Sequence, residues 1–397
     1  MVGLPIRFEM LKKSTLIITI TTLLTLIVVI GIGGYIIFQQ QAQSDQQHDQ
    51  NNQQSIADWS YTFHHDMART GYSTSTGPLT NQTLWTYLTQ MQIEYSSPAV
   101  VDGVAYFGSN DHRVRAVNAS TGDIIWSYLT GNSVESSCTV SDGIVYFGSH
   151  DFNVYALDAL TGDKVWNFTT KGEVYSTPAV IDGVVYVGSR DNNLYALDAK
   201  TGSKIWSYLT SNSVWSSPAV VNGVIYVNSH DTAYALNAAT GKQIWGFFAW
   251  SPIYSSSAVV NGRVYFGASN TVYALDTASG KKIWSYTTGN RVESSPAVAN
   301  NVVYIGSNDH NVYAFDATTG NKIWNYTTGN EVNGSPTVAN GMVYIGSKDS
   351  NVYALNASTG SKIWSYTTGN QIESTPSIAN GILYIGSNDA KVYAFGS

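Results

Sequence analysis

The spacing of the tryptophans constrains this chain more than any other feature. Trp85, Trp126, Trp166, Trp206, Trp245, Trp284, Trp324 and Trp364 are separated by 41, 40, 40, 39, 39, 40 and 40 residues. Each closes a similar stretch, clearest at 311–324 (NVYAFDATTGNKIW) and 351–364 (NVYALNASTGSKIW), while Trp85 ends a divergent, truncated copy. A fixed period near 40, filled with strand-like runs, marks a radial array of β-blades.

One repeat shows the expected blade. Residues 295–299 (SPAVA) read as a short first strand, and 302–307 (VVYIGS) as an apolar second strand buried on both faces. Residues 311–316 alternate as a third strand and 322–327 (KIWNYT) form the outer fourth. Thr319 and Gly320 supply the turn between them, the glycine being suited to positive φ. Full repeats end at the seven tryptophans from Trp126 to Trp364. Residues 374–397 then supply the first three strands of another blade and stop. The missing outer strand stands at the opposite end of the array, at 83–89 (TLWTYLT). The expected fold is therefore all-β: an eight-bladed β-propeller of four-stranded antiparallel blades over 80–397, closed by an N-terminal outer strand so that no sheet edge is left at the seam.

Ahead of the ring the chain divides into four pieces. Residues 1–13 contain Arg7, Lys12 and Lys13, and residues 14–38 carry no charge over 25 positions. That run exceeds the roughly 20 residues needed to cross a bilayer and the roughly 7–15 of a cleaved signal core. It reads as a retained transmembrane helix. The 30 residues after it hold no Lys or Arg, which places residues 1–13 in the cytoplasm and the propeller on the extracytoplasmic side of a cell membrane. Residues 39–55 form a polar, flexible linker. Residues 56–79 are a lead-in. Their His64, His65, Asp66 and Arg69 invite a catalytic reading, but the segment is expected to pack its aromatics on the ring and close one end of the channel.

Composition excludes some partners. Net charge is −7 and no basic block is present, which argues against nucleic acid. The single cysteine, Cys138, stands where most repeats carry Pro and is expected to be a buried, inert thiol. The six Asn-x-Ser/Thr sequons suit an exported glycoprotein, though turns rich in Asn and Thr also produce them.

The repeat resembles that of the PQQ-type (quinoprotein-like) propeller family, marked by A-x-D-x-x-T-G-x-x-x-W. Ala156, Asp158, Thr161, Gly162 and Trp166 fit it, as do Ala196, Asp198, Thr201, Gly202 and Trp206; Asn replaces Asp at Asn118, Asn237 and Asn356, and Ser279 replaces Thr. The resemblance implies that the eight tryptophans dock blade on blade. It also implies two classes of activity. The family includes quinone-dependent alcohol and glucose dehydrogenases, and non-catalytic members such as the lipoprotein scaffold of the outer-membrane barrel assembly machinery. The methanol-dehydrogenase type uses an adjacent Cys-Cys pair, a Trp under the quinone, and Glu, Asn and Asp around calcium. Here the pair is absent, and Trp215, Asn228 and Glu135 are loose matches without flanking motifs. No cofactor, metal ligand or catalytic residue is assigned. The recurring turn aspartates, Asp151 among them, read as caps of their own turns. The neighbouring histidines His112, His150, His230 and His310 read as solvated imidazoles.

Departures between repeats are the better guide to function. Three residues before each Pro position stand Tyr95, Glu135, Tyr175, Trp215, Tyr254, Glu293, Asn333 and Glu373, in loops leading from one outer strand to the next inner strand. Tyr175, Trp215 and Tyr254 make an aromatic arc, extended by Phe248 and Trp250 in an atypical loop (GFFAWSP). Glu293, Glu373, Glu94 and Glu135 make an acidic arc. Aromatics beside carboxylates suit a sugar, a cationic ligand or an extended peptide; the other reading is that the rings plug the channel mouth. The expected role is a membrane-anchored binding or scaffold module with a protein or glycan partner on this face, rather than an enzyme. A quinone-dependent dehydrogenase or a carbohydrate-binding receptor is the alternative.

Overall fold

The computed structural model describes residues 59–397, which form eight four-stranded antiparallel blades. The expected membrane-spanning segment at 14–38, its expected orientation and the expected linker at 39–55 lie outside the described residues. Among the described residues no helix is long and apolar enough to cross a membrane. Blade 1 runs through Ala99–Val101, Val104–Ser109, Arg113–Asn118 and Ile124–Leu129, and blades 2 to 7 repeat this plan. Blade 8 is shared as expected. Ser377–Ala379, Ile382–Ser387 and Lys391–Gly396 are completed by Gln82–Leu88, which pairs antiparallel with Lys391–Gly396. The two ends meet where other blades carry the Thr-Gly turn: the Leu79 amide donates to Ser397 Oγ at 2.9 Å and Thr80 Oγ1 to Gly396 O at 3.1 Å.

First strands are shorter than the sequence pattern suggests. In blade 6 only Ala297–Ala299 pairs. Pro296 has no N–H to give a ladder, and the serines before it bond elsewhere. Second and third strands are buried along most of their length, and fourth strands alternate with their tryptophan inward.

The repeat motif is a docking device. The indole N–H of Trp126 donates to Ala159 O of blade 2 at 2.9 Å, and Trp166, Trp206, Trp284 and Trp324 repeat the bond to Ala199, Ala238, Ala317 and Ala357. Trp245 uses Thr277 O and Trp85 uses Ala119 O. Trp364, at the seam, uses Pro78 O of the lead-in. The motif Asp caps the turn: Asp158 Oδ1 accepts from the Leu160 and Thr161 amides. Gly162 then sits at φ 77° against the Trp126 ring, where a Cβ would come within 2.7 Å of it, so only glycine fits on both counts. Of the other recurring aspartates, Asp151, Asp191, Asp309, Asp349 and Asp389 cap their own turns as expected, Asp151 accepting from the Asn153 amide and the Tyr155 hydroxyl, whereas Asp231 accepts from the hydroxyls of Ser211 and Thr232 and Asp111 from Arg115 and the Gln90 amide.

The lead-in makes a circuit of the ring. Backbone carbonyls of Ser60, Tyr61, Met67, Ala68, Thr70 and Gly71 accept from Val100, Val140, Val220, Val259, Val298 and Val338, the inner strands of blades 1, 2, 4, 5, 6 and 7. Tyr72–Ser73 adds a parallel strand to Thr337–Ala339, and Ser75 Oγ takes the Gly381 amide of blade 8. Blade 3 is met by a side chain instead: the fully buried Arg69 donates to Thr177 O and Pro178 O, and also to Pro218 O, Phe63 O and Thr62 Oγ1. His64 is buried beside it, with Nδ1 3.3 Å from Arg69 O and its pKa pushed down to about 3 by desolvation. These groups are framework, as the lead-in reading expected.

Candidate functional site at the channel mouth

The loops entering each inner strand are held by a closed ring of hydroxyls. Each loop ends in two small residues before the Pro position, both hydroxyl-bearing except in blade 7, where Gly334 precedes Ser335. The second oxygen accepts the backbone N–H of the preceding blade: the Ser97 amide donates to Ser137 Oγ at 2.9 Å, Ser137 to Thr177, Thr177 to Ser217, and so on until Thr375 donates to Ser97 Oγ at 3.0 Å. Cys138, in the Pro slot of blade 2, is fully buried and its thiol is pushed far up by desolvation.

Above this ring lies a cavity of about 320 Å³. Its floor is Phe63 of the lead-in with the hydroxyls. Its wall contains Tyr95, Glu135, Tyr175, Trp215, Tyr254, Glu293, Asn333 and Glu373, so all eight positions that vary between blades converge on one space. Tyr175 stacks on Trp215 at 4.6 Å between centroids, and Tyr254 meets Trp215 edge-on at 6.3 Å. Arg190, ion-paired with Glu173, brings its guanidinium within 4.6 Å of the Trp215 centroid. The aromatic arc is thus a continuous stack that already carries a cation of its own.

The opposite half is acidic. Burial, reinforced by Glu94, Glu373 and Glu173, pushes Glu135 up to about 8. Burial raises Glu293 as well, against the pull of Lys348 and Arg291. Tyr95 is raised far above its usual range, first by desolvation and then by the surrounding glutamates. Lys348 bridges Glu331 and Glu373 at 3.2 and 3.1 Å.

Sequence reasoning missed a second tier. The residue just before each turn aspartate backs the wall: Asn110 donates to Glu94, Asn388 to Glu373, Lys348 pairs with Glu373, and Arg190 reaches Trp215. His150 and His230 belong here too. His150 is no exposed turn imidazole. It is buried, 4.1 Å from the Tyr175 ring centroid and 3.7 Å from Glu135, and desolvation holds its pKa down. The available signal was that this position varies between blades as much as the first ring does.

Trp250 stands apart from the cavity. Ala249 and Ile253 are buried and fill the inward slots of its loop. Trp250 itself, at φ 58°, turns outward to 86% exposure and packs edge-on against Phe248 at 4.4 Å.

The residues a quinone cofactor would need do not meet here. Asn228 is buried and its amide is spent on Ser255 O and Ser257 Oγ, away from the cavity wall. One face of Trp215 is covered by Tyr175. Among the described residues, no three His, Cys, Asp or Glu side chains gather as a metal-holding group.

A family model described as the β-propeller of beta-alanine-activating enzyme matches residues 95–301, more than half of the chain. A second, described as outer membrane protein assembly factor BamB, matches 229–395. The chain belongs to the PQQ-type β-propeller repeat family. No curated protein sequence matches it. BamB from Moraxella catarrhalis superimposes with a TM-score of 0.68 at 19% identity, over 80% of this chain and 99% of that one. Quinohemoprotein alcohol dehydrogenase from Comamonas testosteroni gives 0.73 at 18% identity, over 85% and 81%. The computationally designed Ika8 protein gives 0.71 at 16%, over 80% and 100%. At these identities the likeness is one of fold, and a fold shared by an assembly factor, an alcohol dehydrogenase and a design leaves activity to the site.

Proposed function

We propose that this protein is a non-catalytic binding module, held at the outer side of a cell membrane by residues 14–38, that receives a protein or envelope partner at the channel mouth. The observation that carries the reading is the convergence of all eight blade-variable positions on one cavity. In a repeat protein the common residues maintain the ring, so the side chains that differ are free to recognise something. The likeness to BamB supports a scaffold role. The likeness to quinohemoprotein alcohol dehydrogenase, and Trp215 at the mouth, support the rival reading of a quinone-dependent oxidoreductase. Titration of the full chain with PQQ and calcium separates them: saturable binding with substrate-dependent bleaching would favour the rival.

The direct test is photocrosslinking. The full chain carries p-benzoylphenylalanine at Tyr95, which is 44% exposed at the mouth, or at Asp142, in the hairpin at the far end of the blade 2 first strand. Irradiation of native membranes should give an adduct of fixed mass from Tyr95 and none from Asp142. Adducts from both positions alike, or from neither, would remove the proposal.

A further inference from the structure

The walls of the cavity do not balance as hydrogen-bonding partners. On the acidic half, Glu135, Glu293 and Glu373 line the space and Glu94 stands behind Tyr95. Ionised carboxylates only accept. Their protein donors are few. Asn333 Nδ2 gives to Glu293 at 2.7 Å, Asn388 Nδ2 to Glu373 at 2.8 Å, and Asn110 Nδ2 to Glu94 at 3.1 Å. Each asparagine must turn its amide nitrogen toward the acid, so a flip of the group gives no relief. In consequence Oδ1 of Asn110, Asn333 and Asn388 has no hydrogen-bond partner. Asn333 lines the cavity and is 8% exposed. A buried polar atom left in this condition asks for a partner.

The local cations do not fill the gap. Lys348 is committed to Glu331 and Glu373. Arg291 reaches only to 4.0 Å of Glu293, with its side chain 64% exposed. Glu135 faces His150 Nε2 at 3.7 Å, beyond hydrogen-bonding distance, and that nitrogen is also without a partner. Among the described residues no hydrogen-bond donor reaches Glu135, and the cation nearest Glu293 stays 4.0 Å away. Across the cavity, Tyr175, Trp215 and Tyr254 present an aromatic stack suited to an apolar body or to a cation's carbon chain. The volume of 320 Å³ corresponds to roughly ten waters' share of liquid volume. That is room for one long side chain or one small organic amine.

We infer that the channel mouth recognises a multi-donor organic cation, an ammonium or guanidinium group placed between Glu135, Glu373 and Asn333 with its carbon body along the Tyr175–Trp215 stack. The inference rests on reading the mouth as the binding site and names the chemistry of its occupant. Burial and the neighbouring glutamates hold Glu135 up at about 8, and a cation bound beside it would draw it into its ionised form. Such a group comes either as a free amine or as a Lys or Arg side chain of a partner protein.

Calorimetric titration of the full chain in detergent, at pH 8, uses three probes. Phenethylamine and 2-phenylethanol are nearly the same shape and differ in charge. The blocked dipeptide acetyl-Phe-Lys-amide offers only a side-chain ammonium. Phenethylamine should bind at least tenfold more tightly than the alcohol. Glu135→Gln should cost at least tenfold, and Asp163→Asn, in an exposed turn between the third and fourth strands of blade 2, should change nothing. Tighter binding of the dipeptide assigns the cation to a partner protein, and tighter binding of phenethylamine assigns it to a free amine. Equal affinity for amine and alcohol, or undiminished binding by a folded Glu135→Gln, overturns the inference. The two failures are distinguishable. Amine binding without the Tyr95 adduct leaves a small-cation site and ends the scaffold reading; the adduct without charge preference keeps the docking site and ends the cation.

Discussion

Two sets of aromatic residues share this ring and live under opposite rules. The docking tryptophans are constant, and their indole N–H groups are satisfied by a carbonyl of the next blade, or of the lead-in at the seam, at 2.7–3.1 Å. A glycine lies flat against all but Trp364. Seven of the eight are 7–8% exposed, and Trp206 is slightly more open. The mouth aromatics differ from blade to blade. Tyr175 and Trp215 are half-buried and touch mainly one another, His150 and Arg190. A tryptophan in this chain therefore cannot be read by type. Its role follows from whether its polar edge and both faces are answered by the adjacent blade.

The largest effect should come from the docking set. Trp324→Ala removes the bond to Ala357 O and leaves a void under Gly360, and should destabilise the protein by about 3–5 kcal/mol in chemical denaturation. A loss below about 1 kcal/mol would erase the distinction drawn here.

Trp215→Ala should cost far less, about 1 kcal/mol, because it surrenders a stack with Tyr175 and no inter-blade hydrogen bond. The same change should weaken phenethylamine binding at least tenfold. Trp250→Ala, at an 86% exposed position outside the cavity, should leave stability within about 0.5 kcal/mol and amine binding unchanged. If Trp215→Ala unfolds as readily as Trp324→Ala, the mouth aromatics are packing.

The smallest effect is electrostatic and separates the acidic half of the mouth from the rest. Glu135 is raised from 4.5 to about 8 in the folded state. A carboxyl raised on folding binds its proton more tightly when native. Its contribution is fully present below about pH 4.5 and is lost as pH rises through about 8. His150, held low by burial, works in the opposite sense, so wild type must be compared with Glu135→Gln. Between pH 5 and 9 the melting temperature of the variant should fall less than that of wild type, by about 2 °C or more. Parallel curves would mean that Glu135 is solvated.

The sequence by itself determined the blade count, the shared eighth blade and the identity of the docking residues. Each of these repeats a local need, and a need met eight times leaves a period that can be counted. Asp158, Thr161, Gly162 and Trp166 are legible because every blade must cap the same turn and cover the same indole. The first ring at the mouth was also legible, as variation set against a nearly constant frame of small residues and Pro. Only the tertiary structure decided the rest. The second tier, from Asn110 to Asn388, comes from turns of different blades that recur with the repeat, but which of them reaches which residue of the first ring follows only from the shared axis of the blades. Trp250 faced outward because Ala249 and Ile253 took the inward slots of its loop. The lead-in has no period at all. Its carbonyls from Ser60 to Gly71 find Val100 to Val338 in order because a closed ring leaves one row of inner-strand amides facing the channel, and buried amides must be paired; at blade 3 Arg69 instead donates to the carbonyls of Thr177 and Pro178.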